Sequence, residues 1–352
     1  MGLKIALKRA VMKKVMTKRA KSAKTFDEAA SEQYKLDASA TSETNNSYYF
    51  TAHDEKGNGL FFRLGQRGNR TAEIWFAVRL STGEAFVNVE KLLPIDKATA
   101  TIECIKECKE WKFEFNGKVT PVHAGVGKIA ERSGVDVVAS WSGTFKSEDG
   151  LYEFTRDTDI GAFCKAVAAE KWTRGFSKEL DKNHQTHIEQ RGEIGGIFTV
   201  DGKKHTIYGF AVRDHSFGRR VWSYMNRHIW FVAALENGDT YAANHVKYPV
   251  LGVCGLSSGY KIVSGKVANV QDVDFREGAY TAEYGDKTTA TIKYTQEIIF
   301  PFVFGDDAGA YIINEGMSRY EIFDSRVSLD SECVRGYGIT EFGYNVDGGR
   351  IK

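Results

Sequence analysis

The residues best suited to chemistry lie between His184 and Trp222, HQTHIEQRGEIGGIFTVDGKKHTIYGFAVRDHSFGRRVW. The stretch reads as two β-strands joined by an Asp201-Gly202 turn. By the two-residue period of a strand, His187, Glu189, Arg191 and Glu193 share one face, and Ile188, Gln190, Gly192 and Ile194 share the other. In the second strand Tyr208, Phe210, Val212 and Asp214 lie on one face, with Ile207, Ala211, Arg213 and His215 opposite. A carboxyl group among apolar and aromatic neighbours has its ionised form disfavoured, so Asp214 is expected to keep a proton it can donate. His187, Glu189 and His215 are its expected catalytic partners. Trp222, Tyr224 and Trp230 can line a pocket through their π faces, and Arg213, Tyr208, Phe217, His245 and Glu341 complete the expected ligand-binding set. Two structural readings compete. Asp214 can form an ion pair with Arg213, Arg219 or Arg220 at a strand end, and Glu341 can be a buried partner of Arg335 or Arg213.

Other chemistries find less in the sequence. His184, His187, Glu189, His215, His228 and His245 fall on neighbouring predicted strands, and an HxE pair with a distant histidine is the ligand style of a mononuclear metal site. The reading adopted assigns no metal and no cofactor. No GxGxxG opens a helix and no P-loop is present; the GQRGNR of residues 65–70 reads as a hairpin turn. Ser216 has no G-x-S-x-G context, which argues against a serine hydrolase. The five cysteines are odd in number and lack zinc spacing, which points to a reduced, cytoplasmic protein.

The elements that must position these residues are strands. With 4 Pro against 35 Gly, and Thr, Val, Tyr and Phe in short runs, turns fall to glycine. Hairpins are predicted around Asp54 to Gly59 and around Ser81-Thr82-Gly83, with further strands at 99–106, at Trp111 to Phe115 before an Asn116-Gly117 turn, and at Val137 to Phe145. One helix is predicted, Ile160 to Leu180, capped by Asp157 or Asp159. It divides the chain into a basic segment and linker (1–46), a first barrel (47–155), the connecting helix (156–183) and a second barrel (184–352). Residues 1–24 carry nine basic groups and no acid; the rest holds 39 basic and 46 acidic residues, about −7, which excludes a nucleic-acid-binding body. Leu3, Leu7, Val11 and Val15 are spaced by four, but Lys4, Lys8 and Lys18 fall on the same arc and spoil an amphipathic helix. A disordered segment, removable to residue 40 without loss of stability, is expected. Targeting to an organelle and weak contact between residues 1–24 and anionic membrane are the alternatives.

The DHSFG of Asp214 to Gly218 resembles the DHxWG motif of the carotenoid 1,2-hydratase (hydroxyneurosporene synthase) family, whose members resemble two lipocalin-like β-domains in tandem. The ending GYGITEFGY, Gly336 to Tyr344, resembles the terminal GxGxxExxGY strand of that superfamily. HIEQRGEI to VRDHSFGRRVW, and EWKFEFNG before it, are similar to a lipocalin-like region of animal phosphoenolpyruvate synthase-like proteins. Fungal Diels-Alderases of decalin biosynthesis share this architecture. The resemblance spans roughly residues 47–345 and implies two antiparallel barrels, an all-β fold. It also implies that the aspartate matching Asp214 protonates a carbon–carbon double bond, with His215 beside it. The chain departs from the motif at Phe217, where Trp is usual, and at Arg213, where His or Trp is usual. The expected activity is cofactor-independent hydration, isomerisation or cyclisation of a hydrophobic unsaturated ligand near the domain interface. The expected rival is a non-catalytic binding or regulatory module.

Overall fold

The computed structural model describes residues 2–22, 26–180, 185–306, 309–325 and 333–346. Strands β1 (Thr44–His53), β2 (Gly59–Arg67), β3 (Thr71–Arg79) and β4 (Ala85–Asn88) begin the first barrel, flanked by β5 (Leu92–Pro94) and β6 (Ala100–Lys106). β7 (Glu110–His123), β8 (Glu131–Arg132), β9 (Val137–Lys146) and β10 (Tyr152–Glu153) follow, then β11 (Gln185–Val200) and β12 (Lys203–Arg219). Pairing runs β11-β12-β1-β2-β3-β4-β7-β9 and back to β11, an antiparallel ring of eight. The second ring is made of strands consecutive in sequence: β13 (Arg227–Leu235), β14 (Thr240–Lys247), β15 (Leu256–Val263), β16 (Lys266–Arg276), β17 (Ala279–Tyr284), β18 (Thr289–Asp306), β19 (Gly309–Asp324) and β20 (Val334–Asn345). The fold is therefore the expected pair of tandem lipocalin-like barrels. In the closing strand β20, a Cβ at Gly336 or Gly338 would come within 1.9 or 1.8 Å of the carbonyl oxygens of Ala234 and Val232, so the GxG of the ending lets β20 seat against β13.

Several boundaries differ from the sequence reading. The helical stretch does not divide the barrels, because β11 and β12 follow it and close the first ring against β9 and β1. The second barrel starts at Arg227 rather than at residue 184. The stretch itself is three helices, α3 (Phe154–Asp157), α4 (Ile160–Ala169) and α5 (Phe176–Leu180), after α1 (Gly2–Ser22) and α2 (Glu28–Glu32). Asp159 caps α4 as expected, accepting from the Ala162 N–H at 2.9 Å. The helix ends where Glu170 turns extended and the Trp172 Nε1–H reaches back to the Val167 carbonyl at 2.9 Å. Asn116-Gly117 is no turn; both residues continue β7 and pair with Ser140 and Ala139 of β9.

Each barrel is filled. Phe50, Phe62, Phe76, Phe113, Trp141 and Phe198 pack inside the first, and Phe231, Tyr241, Tyr280, Tyr284 and Tyr320 inside the second. A third apolar cluster joins the outer faces of the two: Tyr49, Phe61, Trp75 and Val212 against Trp230, Phe300, Phe302 and Tyr311. This is why β1 is buried over nearly its whole length, with Tyr48, Phe50 and Ala52 inward and Tyr49, Thr51 and His53 facing the other barrel.

The basic segment is helical rather than disordered, and its Leu/Val arc stays largely in solvent, with Val15 reaching the space between the barrels. Leu3, Leu7, Val11 and Val15 are exposed, while Met12 packs with Phe163 on α4. Lys8 donates to the Glu170 carbonyl at 2.5 Å and lies over Trp172. The stripe one turn-third away from the Leu/Val arc docks because α4 and Trp172 offer it partners. Among the described residues no helix is long and apolar enough to cross a membrane.

α2 plugs one end of the first barrel. Glu32, 2% exposed, forms an ion pair with Arg213, Nη2 to Oε2 at 2.9 Å, and accepts from Trp111 Nε1 at 3.1 Å. A buried ion pair stripped of one partner leaves a desolvated charge, at a cost of about 3–5 kcal/mol. Deletion of residues 1–40 is therefore expected to lower the unfolding free energy by about that amount, and deletion of residues 1–25, which spares Glu32, by much less. Urea unfolding of the two truncations checks this; equal midpoints would show that Arg213 finds solvent or another partner without Glu32.

Candidate functional site

Register assembles the site from strands far apart in sequence. Across the outer face of the first barrel one cross-strand row reads Trp75, Arg63, Tyr49, Asp214, Glu189. The row beside it reads Glu73, Gly65, Ser47, Ser216, His187. On the facing side of the second barrel a row reads Ser258, Asn244, Trp230, Glu341, Glu315, Phe300. Between them lies a cavity of about 850 Å³, lined by both barrels and roofed by Met12 and Met16 of α1, Phe163 of α4 and Phe176 of α5. The open space is thus outside both barrels, in the seam, because the barrel interiors are occupied by aromatic side chains.

A closed polar loop stands on the first wall. His187 Nε2 lies 2.7 Å from Asp214 Oδ2, and His187 Nδ1 lies 2.8 Å from Ser216 Oγ. The Ser216 hydroxyl donates to Asp214 Oδ1 at 2.9 Å. An imidazolium satisfies all three contacts: both ring N–H groups donate, one to serine and one to carboxylate. Burial disfavours that charge, but Asp214, by charge and hydrogen bond, and then Glu189 outweigh it and push the His187 pKa up to about 9. Asp214 is the converse. Burial would raise its carboxyl, yet His187, Arg220 and the Ser216 hydroxyl hold it below the ordinary carboxylate value. The expectation of a protonated Asp214 is therefore corrected: its ion-pair partner is His187 rather than Arg213, Arg219 or Arg220, and the proton resides on the imidazole. Glu189, behind His187 at 3.4 Å, is pushed up, chiefly by burial.

The opposite wall carries a second relay. His228 contacts Tyr311 Oη through Nδ1 at 2.7 Å and Glu341 Oε1 through Nε2. Glu315, fully buried, accepts from the Tyr49 hydroxyl of the first barrel at 3.2 Å. Burial first, then the charge and hydrogen bonding of Glu341, drive the Glu315 carboxyl well above its usual value. Glu341, which burial would also raise, is held low by His228 and by the bond from Glu315. Of two carboxyls this close, one keeps a proton and the other stays charged.

Of the predicted residues, His187, Asp214, Trp222, Tyr224, Trp230 and Glu341 line the cavity. Arg213 and His215 point the other way, into the first barrel. There Arg213 pairs with Glu32, and His215 Nε2 lies 2.9 Å from Asn46 Oδ1. The residues beside Asp214 in sequence necessarily face its opposite side. Phe217 stacks on Tyr34 at 4.4 Å between ring centroids. Tyr208 is 62% exposed and bonds Glu193, because the face it shares with Asp214 runs out to the barrel's open end. His245 contacts Ser257, away from the cavity lining; burial, with Lys247 and Arg227, depresses its pKa to about 4. Glu341 pairs with His228 rather than Arg335 or Arg213. Among the described residues no three His, Cys, Asp or Glu side chains are placed to hold a metal, and His184 lies outside those residues. Tyr49, Arg63, Trp75, Ser216, Arg220 and His228 line the cavity without having been singled out as ligand-binding or catalytic.

A family model described as a domain of unknown function (DUF7064) matches residues 30–335. No curated protein matches the sequence. The chain is similar to the solved structure of CghA with Sch210972, at 10% identity over 86% of this chain and 88% of that one, with a TM-score of 0.52. It is also similar to kievitone hydratase from Nectria haematococca, at 9% identity over 92% of this chain and 94% of that one, with a TM-score of 0.46. The likeness to CghA is one of fold.

The raised Glu315 carboxyl makes a pH prediction. The folded chain keeps this proton above the unfolded value of 4.5 while the unfolded chain releases it, so Glu315 costs stability as pH rises from about 4.5. Glu315→Gln keeps the shape and a donor without the titration. Its thermal midpoint is expected to gain on the wild type between pH 5 and pH 8; a constant difference across that range would show that Glu315 is ionised in the fold. The His187–Asp214 pair works in the same sense at higher pH: His187's raised pKa gives a contribution complete below its unfolded 6.5 and lost as pH climbs through about 9.

Proposed function

We propose that this chain, which belongs to the DUF7064 family, is a cofactor-independent acid–base enzyme that acts on a hydrophobic unsaturated small molecule between its barrels, by hydration, isomerisation or cyclisation. The observation that carries this reading is the His187–Ser216–Asp214 loop on the wall of a cavity otherwise lined largely by aromatic and aliphatic groups. An imidazolium kept charged beside an apolar ligand space is a proton donor in reach of a substrate. CghA, of the same fold, was crystallised with Sch210972, and the DHSFG motif resembles that of hydratases whose aspartate protonates a double bond. Here the aspartate's part is to hold the donor.

In hydration, the Ser216 hydroxyl gives its proton to an alkene carbon while taking the Nδ1 proton of His187, leaving a neutral imidazole paired with Asp214. The indole of Trp230, which lines the cavity, opposes the carbocation so formed. Water adds to it, and its proton passes to the ionised Glu341 on the facing wall, whose carboxyl feels the charge of Asp214 across the seam. For isomerisation the second proton leaves a carbon instead of water. In either case the cycle closes when Glu341 releases the proton it took to bulk water and the neutral His187 takes one up, which returns both walls to their starting charge.

General acid catalysis contributes about 10²–10⁴-fold. His187→Gln and Ser216→Ala are expected to lower turnover by that order while ligand affinity stays within a few fold. Asp214→Asn should lower it too, and should drop His187 back toward 6.5, seen as an acid shift of the descending limb of the pH–rate profile. Turnover is read by mass spectrometry after incubating the protein in D₂O with ligands co-purified from its host. A ligand that co-purifies, binds and takes up neither deuterium nor water would establish the rival reading, a binding or regulatory module.

A further inference from the structure

The cavity wall beside the polar loop carries more positive charge than it can pair. Arg63 Nη1 and Arg67 Nε share one carboxylate, Glu73, at 3.0 and 3.1 Å. Gly65 makes that possible: a Cβ there would sit 2.6 Å from the Arg63 guanidinium. A third guanidinium, Arg220, enters the same space. Its carbon lies 4.7 Å from the ring centroid of Trp222, and that of Arg67 lies 6.0 Å from the same ring. Among the described residues Arg220 makes a side-chain hydrogen bond through Nε, to Gln185 Oε1 at 2.9 Å, and no salt bridge. Asp214 is near enough to favour its charge, but that carboxylate is taken by His187 and Ser216. Around this corner stand four cations, Arg63, Arg67, Arg220 and the His187 imidazolium, against two anions, Glu73 and Asp214. Burial and the like charges of Arg63 and Arg67 depress the Arg220 guanidinium to about 10.

A half-buried guanidinium that lines the cavity, is bonded among the described residues through Nε and is crowded by two others is poorly stabilised until an anion arrives. We propose that Arg220 is the headgroup site of the cavity and that the ligand is an amphipathic acid: an apolar unsaturated body with one carboxylate, bound in plane by the Arg220 fork above Trp222. This rests on the ligand cavity of the preceding reading and adds the chemical class of what enters it. The body would extend past Trp230 toward Met12, Met16 and Phe163, and the carboxylate would fix which of its carbons meets Ser216 and His187. A planar carboxylate satisfies two N–H groups of one guanidinium, and removing such a charged bond typically costs tenfold or more in affinity.

The test uses the full chain, with cis-parinaric acid and its methyl ester as probes that differ in this charge alone, followed by probe fluorescence and Trp quenching. The acid is expected to bind about tenfold or more tighter than the ester. In Arg220→Gln that preference should vanish while ester affinity changes less than threefold, and the thermal midpoint without ligand should hold or rise because a crowded cation is gone. Equal binding of acid and ester by the wild type would overturn the headgroup site and leave the cavity reading standing. A preference that persists in Arg220→Gln would overturn the assignment to Arg220. A fall in the variant's midpoint with loss of both affinities would make Arg220 structural, and failure of the wild type to bind either probe would overturn the cavity reading together with this one.

Discussion

A β-strand has two faces, and in the seam of this protein both must be kept from water. β1, β2, β3 and β12 turn one set of side chains into a filled barrel and the other set against a second barrel, so each position there has to satisfy a neighbour on one side or the other. Apolar residues meet this requirement by packing. The polar ones meet it only by bonding one another, because a desolvated charge without a partner is too costly to bury. That constraint explains why the titratable residues of the seam occur as closed groups: His187 with Ser216 and Asp214, His228 with Glu341 and Tyr311, Arg63 and Arg67 with Glu73.

The same burial acts with opposite outcome on neighbouring groups. Glu189 and Glu315, which desolvation dominates, are pushed toward their neutral forms. Asp214 and Glu341 are held ionised because each faces an imidazole at bonding distance. Each wall therefore pairs a carboxylate that is charged with a carboxyl that is not, and the two walls confront each other across a space sized for a ligand. Sites that must both give and take protons are built by such divergence of pKa values. Helices α1, α4 and α5 add an apolar roof over that space, and Arg220 stands at its cationic corner.

A motif carried from other proteins can locate a site while misassigning its parts. DHSFG does mark the cavity wall, through Asp214 and Ser216. Its histidine, however, faces the interior of the first barrel against Asn46 and Tyr48, and the imidazole on this wall of the cavity is His187 from the neighbouring strand. The residue preceding the motif, Arg213, belongs to the plug formed with Glu32.

Strand alternation, the Asp201-Gly202 hairpin and the close-packed GxG of the last strand are local properties, so the sequence by itself determined that the chain is all-β, that β11 and β12 pair, and that Asp214 and His215 face opposite ways. Which of the two faces looks into a cavity is not local. It depends on β1 pairing with β12, an alignment of Ser47 with Ser216 and Tyr49 with Asp214 across more than a hundred and sixty residues, and on a second barrel arriving to cover that face. The sequence likewise shows a basic, Leu/Val-spaced amino terminus, but the side that docks is chosen by α4 and Trp172, and Glu32 becomes a plug only because Arg213 waits inside the barrel. Charge state needs both: the β11–β12 hairpin brings His187 to 2.7 Å from Asp214, and the proton expected on Asp214 sits on His187 because that contact outweighs the burial imposed by the seam.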